Sequence, residues 1–430
     1  MTQLSATTRA TEPRLGRVRW RICAMLFFAT SINYMDRQVI GLLKPTLQHS
    51  IGLTEVNFGY IIAAFQVAYA IGLVAAGRLV DRIGSRLGYT LIMGTWSVAA
   101  MAHALARTAL GFGIARFFLG LGEAGNFPAA IKTVADWFPQ RERSLATGIF
   151  NSGANVGAIL APAIVPWVTL RFGWPAAFLS TGAFSLLWII WWYRTYRKPA
   201  DHPTLSGEEL RHIYEQAAEP MSERTPWTRL LTHRQTWAVA GAKFLTDPIW
   251  WFYLFWLPGF FDTRFHLGLS RLGLPLILIY NMSAVGSIGG GWLPSLLARR
   301  GLTPVRARLG TMLLCALAAV PMLFAARVPT EWGAIALLSL AVGAHQGWSA
   351  NLYTTISDMF PSGAVGSIAG IAGMAGSVGA AILSIGAGRM LEKTHSYTPL
   401  FMLAGSVYLV ALVLLQTLAP GLKRVHLETA

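Results

Sequence analysis

Asp136-Trp-Phe-Pro139 returns later in the chain as Asp358-Met-Phe-Pro361, and holding that offset brings Gly148 onto Gly370 and Gly157 onto Gly379. A merely hydrophobic chain rarely repeats an acid-aromatic-proline motif together with matching glycines by chance, so the sequence reads as two copies of one unit. On the same alignment Glu123 falls opposite His345.

The unit is a membrane one. The 430 residues are 54% hydrophobic, with mean hydropathy +0.49, and only 13% are charged, against about 25% in soluble domains. Apolar stretches of spanning length, roughly 20 residues, recur about twelve times. Their approximate bounds are 20–43, 57–79, 87–107, 110–135, 143–168, 174–195, 236–261, 272–298, 306–327, 331–359, 364–390 and 397–419. The expected organisation is a tail over 1–19, a six-helix bundle over 20–195, a polar linker over 196–235, a second six-helix bundle over 236–419 and a tail over 420–430. In the linker, Ser206 is placed to N-cap a short amphipathic helix with Glu209 at the capping-box position. The acids Glu215, Glu219 and Glu223 follow it.

The formal charge of +16 does not point to nucleic acid, because the bases alternate by loop. Arg9, Arg14, Arg17 and Arg19 precede the first span; Arg78, Arg82 and Arg86 follow the second; Arg141 and Arg143 follow the fourth. The linker (Arg197, Lys198, Arg224 and others), the loop after the eighth span (Arg299, Arg300) and the end of the chain (Lys423, Arg424) continue the pattern. The positive-inside rule then predicts a multi-pass protein of a plasma membrane, a bacterial inner membrane, with both termini and the linker cytoplasmic. The first apolar stretch is too long for a signal-peptide core and holds charges, so it reads as a retained helix. Cys23 and Cys315 fall in or near apolar helices and support no disulfide or metal framework.

Four ionisable residues lie at membrane depth: Asp36 and Arg37 in the first span, Arg116 and Glu123 in the fourth. A charge there is costly unless it is paired or faces water, so such residues default to a substrate or proton path. Two acids beside two bases suggest an anion carried with protons. Seven residues separate Arg116 from Glu123, which puts them two turns apart on one helix face. Burial favours a neutral acid and a neighbouring arginine favours its carboxylate; an anion that occupies the arginine returns the advantage to the neutral form, which couples proton to substrate. The alternative is a pair of static salt bridges, an odd choice when buried ion pairs rarely stabilise more than apolar packing.

A parallel repeat of two six-helix halves with a midplane site between them resembles the major facilitator superfamily. So does Gly77-Arg-Leu-Val-Asp81-Arg82-Ile-Gly84-Ser-Arg86 after the second span, which is similar to that superfamily's cytoplasmic gating signature. Its second-half counterpart, from Gly290 to Gly301, keeps glycines and bases but lacks the acid. Within the superfamily, Asn33-Tyr34-Met35-Asp36-Arg37 and Arg116-Phe-Phe-Leu-Gly-Leu-Gly-Glu123 resemble the anion:cation symporters. That resemblance implies an all-α integral membrane fold of about twelve helices. It also implies that Arg37 binds a carboxylate with Arg116 as partner, and that Asp36 and Glu123 carry protons.

Tyr34 and Tyr69 lie too deep for an aromatic belt and are placed to donate to a substrate; Tyr69 also matches a substrate-contact tyrosine of the family. Asn151 and Asn155, in Phe150-Asn-Ser-Gly-Ala-Asn155-Val-Gly157, bind hydroxyls or serve as helix-packing glue. Lys243-Phe-Leu-Thr-Asp247-Pro248-Ile-Trp250-Trp251-Phe-Tyr253 and Ala344-His345-Gln346-Gly-Trp348-Ser-Ala-Asn351 resemble the hexuronate-transporter branch. Each aromatic has a plain packing reading, and His345 that of a satisfied core group. As a cluster, Trp251, His345, Gln346, Trp348 and Asn351 suit a sugar, with aromatic faces ringed by hydrogen-bonding side chains. The glycine stripe Gly366, Gly370, Gly373, Gly376 and Gly379 suits close helix packing and sliding.

Phosphate-loop, zinc and nucleophile-elbow patterns are missing from the sequence, so neither ATP-driven transport nor enzymatic chemistry is expected. The expectation is a monomeric, proton-coupled importer of a sugar-acid monoanion, a hexuronate such as galacturonate or glucuronate. It needs no cofactor beyond the proton as coupling ion, and its partners are the substrate, protons and lipid. An aldonate, aldarate or other organic anion is the alternative substrate. A non-transporting ligand sensor is the different-class alternative, which short termini disfavour; cationic drug export is disfavoured by the two core arginines.

Overall fold

The computed structural model describes residues 17–214 and 226–425; Arg9, Arg14, Arg224, Glu215, Glu219 and Glu223, named above, lie outside the described residues. Every regular element among the described residues is helical. The first half comprises α1 (Val18–Leu42), α2 (Lys44–Ile51), α3 (Glu55–Ala102), α4 (Ala109–Glu123), α5 (Asn126–Trp137), α6 (Gln140–Phe172) and α7 (Trp174–Thr195). Two short helices, α8 (Gly207–Tyr214) and α9 (Trp227–Leu230), lie in the connecting segment. The second half comprises α10 (Arg234–Phe265), α11 (Gly273–Arg299), α12 (Pro304–Ala319), α13 (Glu331–Met359), α14 (Ser362–Thr394) and α15 (Thr398–Leu418).

Seven helices among the described residues are long and apolar enough to cross a membrane: α3, α6, α7, α11, α12 with its 3-10 extension to Arg327, α14 and α15. At 48 residues α3 is long enough to cross twice. The other rods of spanning length are α1, α10 and α13, which carry ionisable and polar groups, and α4 with α5, a span divided into helices of 15 and 12 residues.

Three local features refine the sequence reading. The segment Gly77–Ile83 is helix rather than loop, and the chain reverses at Gly84 alone (φ 83°, ψ 163°), a conformation that L side chains rarely adopt. The fourth span, expected as one helix over 110–135, is broken at Ala124–Gly125, immediately after Glu123. The repeated motif acts as punctuation: Phe138 and Phe360 are extended, ending α5 and α13, and Pro139 and Pro361 precede the first turns of α6 and α14. Its acids tie each turn to a neighbouring helix, Asp136 accepting from Ser85 Oγ at 2.9 Å and Asp358 pairing with Arg308 at 2.7 Å. In the linker Ser206 Oγ accepts from the Glu209 N–H at 3.2 Å. The Glu209 carboxylate pairs with Arg19 at 3.0 Å rather than reaching back as a capping box.

The halves meet along α3 with α14, α6 with α11 and α1 with α10. Their contact is uneven. At the face where α1 ends and α3 begins, Lys44 donates to Tyr397, the Glu55 N–H donates to Glu392 at 2.8 Å, and Arg389 donates to the Tyr60 hydroxyl. There Gly59 and Gly388 lie where an added Cβ would strike the opposite backbone. Near mid-depth Ser283 donates to Asn155 at 3.0 Å. Toward the face that carries Arg19, the linker and Arg424, Gly77 of α3 and Gly366 of α14 each have open space around them. The halves are tied together at one face and less closely packed at the other.

Candidate functional site

Between the halves, Arg37 projects from α1 into a collar of rings. Its guanidinium carbon lies 4.7 Å from the ring centroid of Tyr34, 5.1 Å from Tyr69, 5.5 Å from Phe65 and 5.0 Å from Trp251. Trp251 belongs to α10, so the collar is shared by both halves. Such ring faces hold a cation without neutralising it. Arg37 Nε donates to Glu123 Oε2 at 2.7 Å, and Nη2 donates to Asn33 at 3.1 Å, with both charged side chains at most 2% exposed.

Arg116 does not pair with Glu123, although the two share a helix face. It donates to the Arg37 carbonyl at 2.7 Å and lies under Phe65 and Phe255, at 4.7 and 5.3 Å. Asp36, one residue and about 100° from Arg37 on the helix, turns away from the collar. It accepts from Ser185 Oγ at 3.1 Å, which in turn accepts from Trp96 Nε1 at 3.0 Å. The four ionisable residues thus form one ion pair and two separately held charges, not the two salt bridges of the static alternative.

Several buried polar atoms here lack a hydrogen-bond partner: Arg116 Nε and Nη1, Asn33 Nδ2, Asp36 Oδ1 and Glu123 Oε1. Buried donors and acceptors are ordinarily satisfied, so a cluster of orphans calls for an explanation. Unused cationic donors beside unused carboxylate oxygens suit a carboxylate ligand and a transferable proton.

Tyr34 and Tyr69 are half-buried at the collar. Asn155 binds across to Ser283, while Asn151, one turn away, is exposed. In the second half Trp251 completes the collar and Gln346 is half-buried. The other three face inward. His345 hydrogen-bonds Tyr408 at 2.8 Å and stacks on Trp250; Trp348 packs edge-on to Tyr408; Asn351 donates to the carbonyls of Gly290 and Gly347, fastening α11 to α13. In this conformation those three brace the second-half helices.

In the gating segment, Asp81 pairs with Lys132 at 3.2 Å. Arg86 donates to the Tyr193 carbonyl at 2.7 Å and lies over its ring, whereas Arg82 is exposed. Space around Gly77 is open, so no helix presses on it in this conformation.

Sequence reasoning passed over Gln38 and Gln66, both fully buried with neither amide atom partnered. A glutamine between Phe65 and an apolar run was itself the signal. It also left Lys243 and Asp247 unassigned, although both were visible in the quoted α10 segment.

Comparison with known proteins accords with this geometry. The profile of the Major Facilitator Superfamily matches residues 26–384. A hexuronate transporter of Escherichia coli (strain K12) is 30% identical over 393 residues, covering 90% of this chain and 91% of that protein. A probable galactarate/D-glucarate transporter of the same strain is 28% identical over 429 residues, covering 95% and 96%. Among solved structures, a D-xylose-proton symporter superposes with a TM-score of 0.75 at 15% identity, covering 94% of this chain and 98% of that one; at that identity the likeness speaks for the fold.

Proposed function

The chain belongs to the Major Facilitator Superfamily, a family of membrane transporters and not of enzymes, and from that premise we propose that it is a proton-coupled symporter of a sugar-acid monoanion, a hexuronate such as galacturonate or glucuronate. The observation that carries the reading is Arg37: a buried guanidinium in an aromatic collar shared by both halves, held by Glu123 and flanked by the orphaned donors of Arg116.

An arginine fork matches a carboxylate bidentately. For the substrate to take it, Glu123 must release Arg37, which leaves a buried, unpaired carboxylate; protonation relieves that state, because an isolated buried charge is far costlier than the neutral acid. Proton and anion therefore enter together. Asp36, hydrogen-bonded to Ser185 behind the collar, is the second proton carrier. Tyr34, Tyr69 and Gln346 grade the hydroxyls, and Asn151 and Asn155 line the first-half wall.

The basic loops lie at the less closely packed face, and the positive-inside rule supports reading that face as the cytoplasmic side of a bacterial inner membrane. The conformation is then inward-open, and transport proceeds by closing this face as the opposite contacts around Glu55 and Gly388 part. The chain acts as a monomer in this reading, since each half supplies a wall of one site. A screen of proteoliposome uptake across hexuronates, aldonates and aldarates tests the assignment: galacturonate or glucuronate taken up ahead of the others supports it. Preferred uptake of an aldarate would move the substrate to the dicarboxylate class.

A further inference from the structure

The second half holds a buried ion pair that the anion site does not use. Lys243 and Asp247 stand one turn apart on α10, with Lys243 Nζ 2.8 Å from Asp247 Oδ2 and 3.0 Å from Oδ1; Nζ also donates to the Tyr353 hydroxyl on α13 at 3.1 Å. The lysine side chain is 3% exposed, the aspartate 21%, and Tyr353 47%. The ammonium is covered, and the carboxylate and the phenol edge are open.

Position makes the pair interesting. Asp247 and Trp251 are four residues apart and so share a face of α10, and Trp251 caps Arg37. Asp247 therefore lies about 6 Å along the helix from the collar residue, toward the linker end of α10. This is where the far end of a six-carbon acid would reach with its carboxylate on Arg37. On its other side Asp247 abuts Gly376 of α14, where a larger residue would displace it.

As a brace the pair is a poor device. Both charges ride on one helix, and apolar side chains of similar volume would hold α10 against α13 and α14 at least as well. As a ligand site it is well equipped. The tyrosine hydroxyl, accepting from Nζ, keeps its proton free to donate, and the aspartate has acceptor capacity left over. Together they present donor and acceptor side by side, the pattern that vicinal hydroxyls meet. The pair is also neutral as a unit. A ligand with a second carboxylate at this end would face Asp247 with no unbalanced cation to receive it, and a like charge across a desolvated contact discriminates strongly.

We propose that Lys243, Asp247 and Tyr353 form the subsite for the hydroxyl-bearing distal end of the sugar acid, and that the charge balance of the pair selects uronates over aldarates. The proposal rests on the sugar-acid reading above and assigns its specificity to three residues outside the anion collar.

Binding to the purified full-length protein, in nanodiscs, tests it with galacturonate, galactarate and the short hydroxy acid glycerate, which ends before this subsite. Asp247→Asn keeps the shape against Gly376 and leaves Lys243 unbalanced. It should shift the ratio of dissociation constants by about tenfold or more toward galactarate, the factor set by one charge-assisted hydrogen bond gained or lost, with glycerate unchanged. An unchanged ratio in folded Asp247→Asn overturns the proposal. Should that variant fail to fold, the charge-balanced Lys243→Gln/Asp247→Asn variant decides. A loss of galacturonate affinity with glycerate spared supports the subsite, and equal losses for both acids reduce the pair to a brace. Wild-type protein that binds neither uronate nor aldarate overturns the sugar-acid reading and this one with it. Wild-type binding of galacturonate, with no shift in the variants, overturns this one alone.

Discussion

Glu123→Gln separates coupling from binding. In the structure Glu123 occupies the guanidinium that the substrate needs, at 2.7 Å and fully buried. The amide keeps the packing and one hydrogen bond but removes the charge. Hydrogen bonds to charged groups contribute about 1.5–3 kcal/mol and neutral ones about 0.5–1.5, so the substrate's competitor weakens by about 1–1.5 kcal/mol. Galacturonate should bind roughly tenfold tighter at neutral pH. The same side chain can no longer release a proton, so net accumulation driven by a pH gradient should be lost while exchange of labelled for unlabelled substrate continues. Proteoliposomes under an imposed gradient measure both activities on one preparation, with a thermal melt as the folding control. A static salt bridge gives a different pattern: breaking a buried pair costs about 3–5 kcal/mol, the protein melts earlier, and exchange and net uptake fall together. Wild-type accumulation by Glu123→Gln would refute the proton-carrying role of this residue.

Arg37→Lys retains the charge but cannot offer the substrate carboxylate the two-donor guanidinium fork; loss of one charge-assisted hydrogen bond to the substrate should lower uptake about tenfold or more, and near-normal uptake would remove Arg37 from the anion site. Gln346→Ala should weaken galacturonate binding more than glycerate binding, because Gln346 is half-buried on α13; equal losses would assign it to packing. If Asp36 and Glu123 both carry protons, one positive charge enters with each monoanion, and an imposed potential of 100 mV should raise accumulation about fifty-fold; a potential-independent steady state would leave a single proton per cycle. Gly388→Val drives a side chain into the backbone of Glu55 at the closed face, so a Tyr397→Cys reporter beneath Lys44 should react faster with an impermeant maleimide; an unchanged labelling rate would show that this face is not a gate.

Much of the architecture follows from one-dimensional patterns. Apolar runs of spanning length, a repeated Asp-x-Phe-Pro motif and loop-alternating bases are local or periodic quantities, and lipid leaves a helical chain few other arrangements. The four ionisable residues at depth were legible for the same reason, since a charge in an apolar run stands out whatever surrounds it. What each does depends on helix rotation and crossing, which spacing along one helix does not determine. Arg116 and Glu123 share a face, yet Arg37 of another helix takes the glutamate and leaves Arg116 to a backbone carbonyl. Asp36 and Arg37 are adjacent in sequence, yet the turn of the helix sends one to Ser185 and the other into the collar. The break after Glu123, the uneven contact of the halves and the approach of Trp251 to Arg37 were likewise settled between helices. His345, Trp348 and Asn351, grouped by sequence with the sugar-facing residues, turn inward because α11 and α15 pack on that side of α13. The sequence by itself determined which segments are helical and of spanning length and which charges they carry. Only the tertiary structure decided which of those charges meet, because pairing is set by packing between helices far apart in the chain.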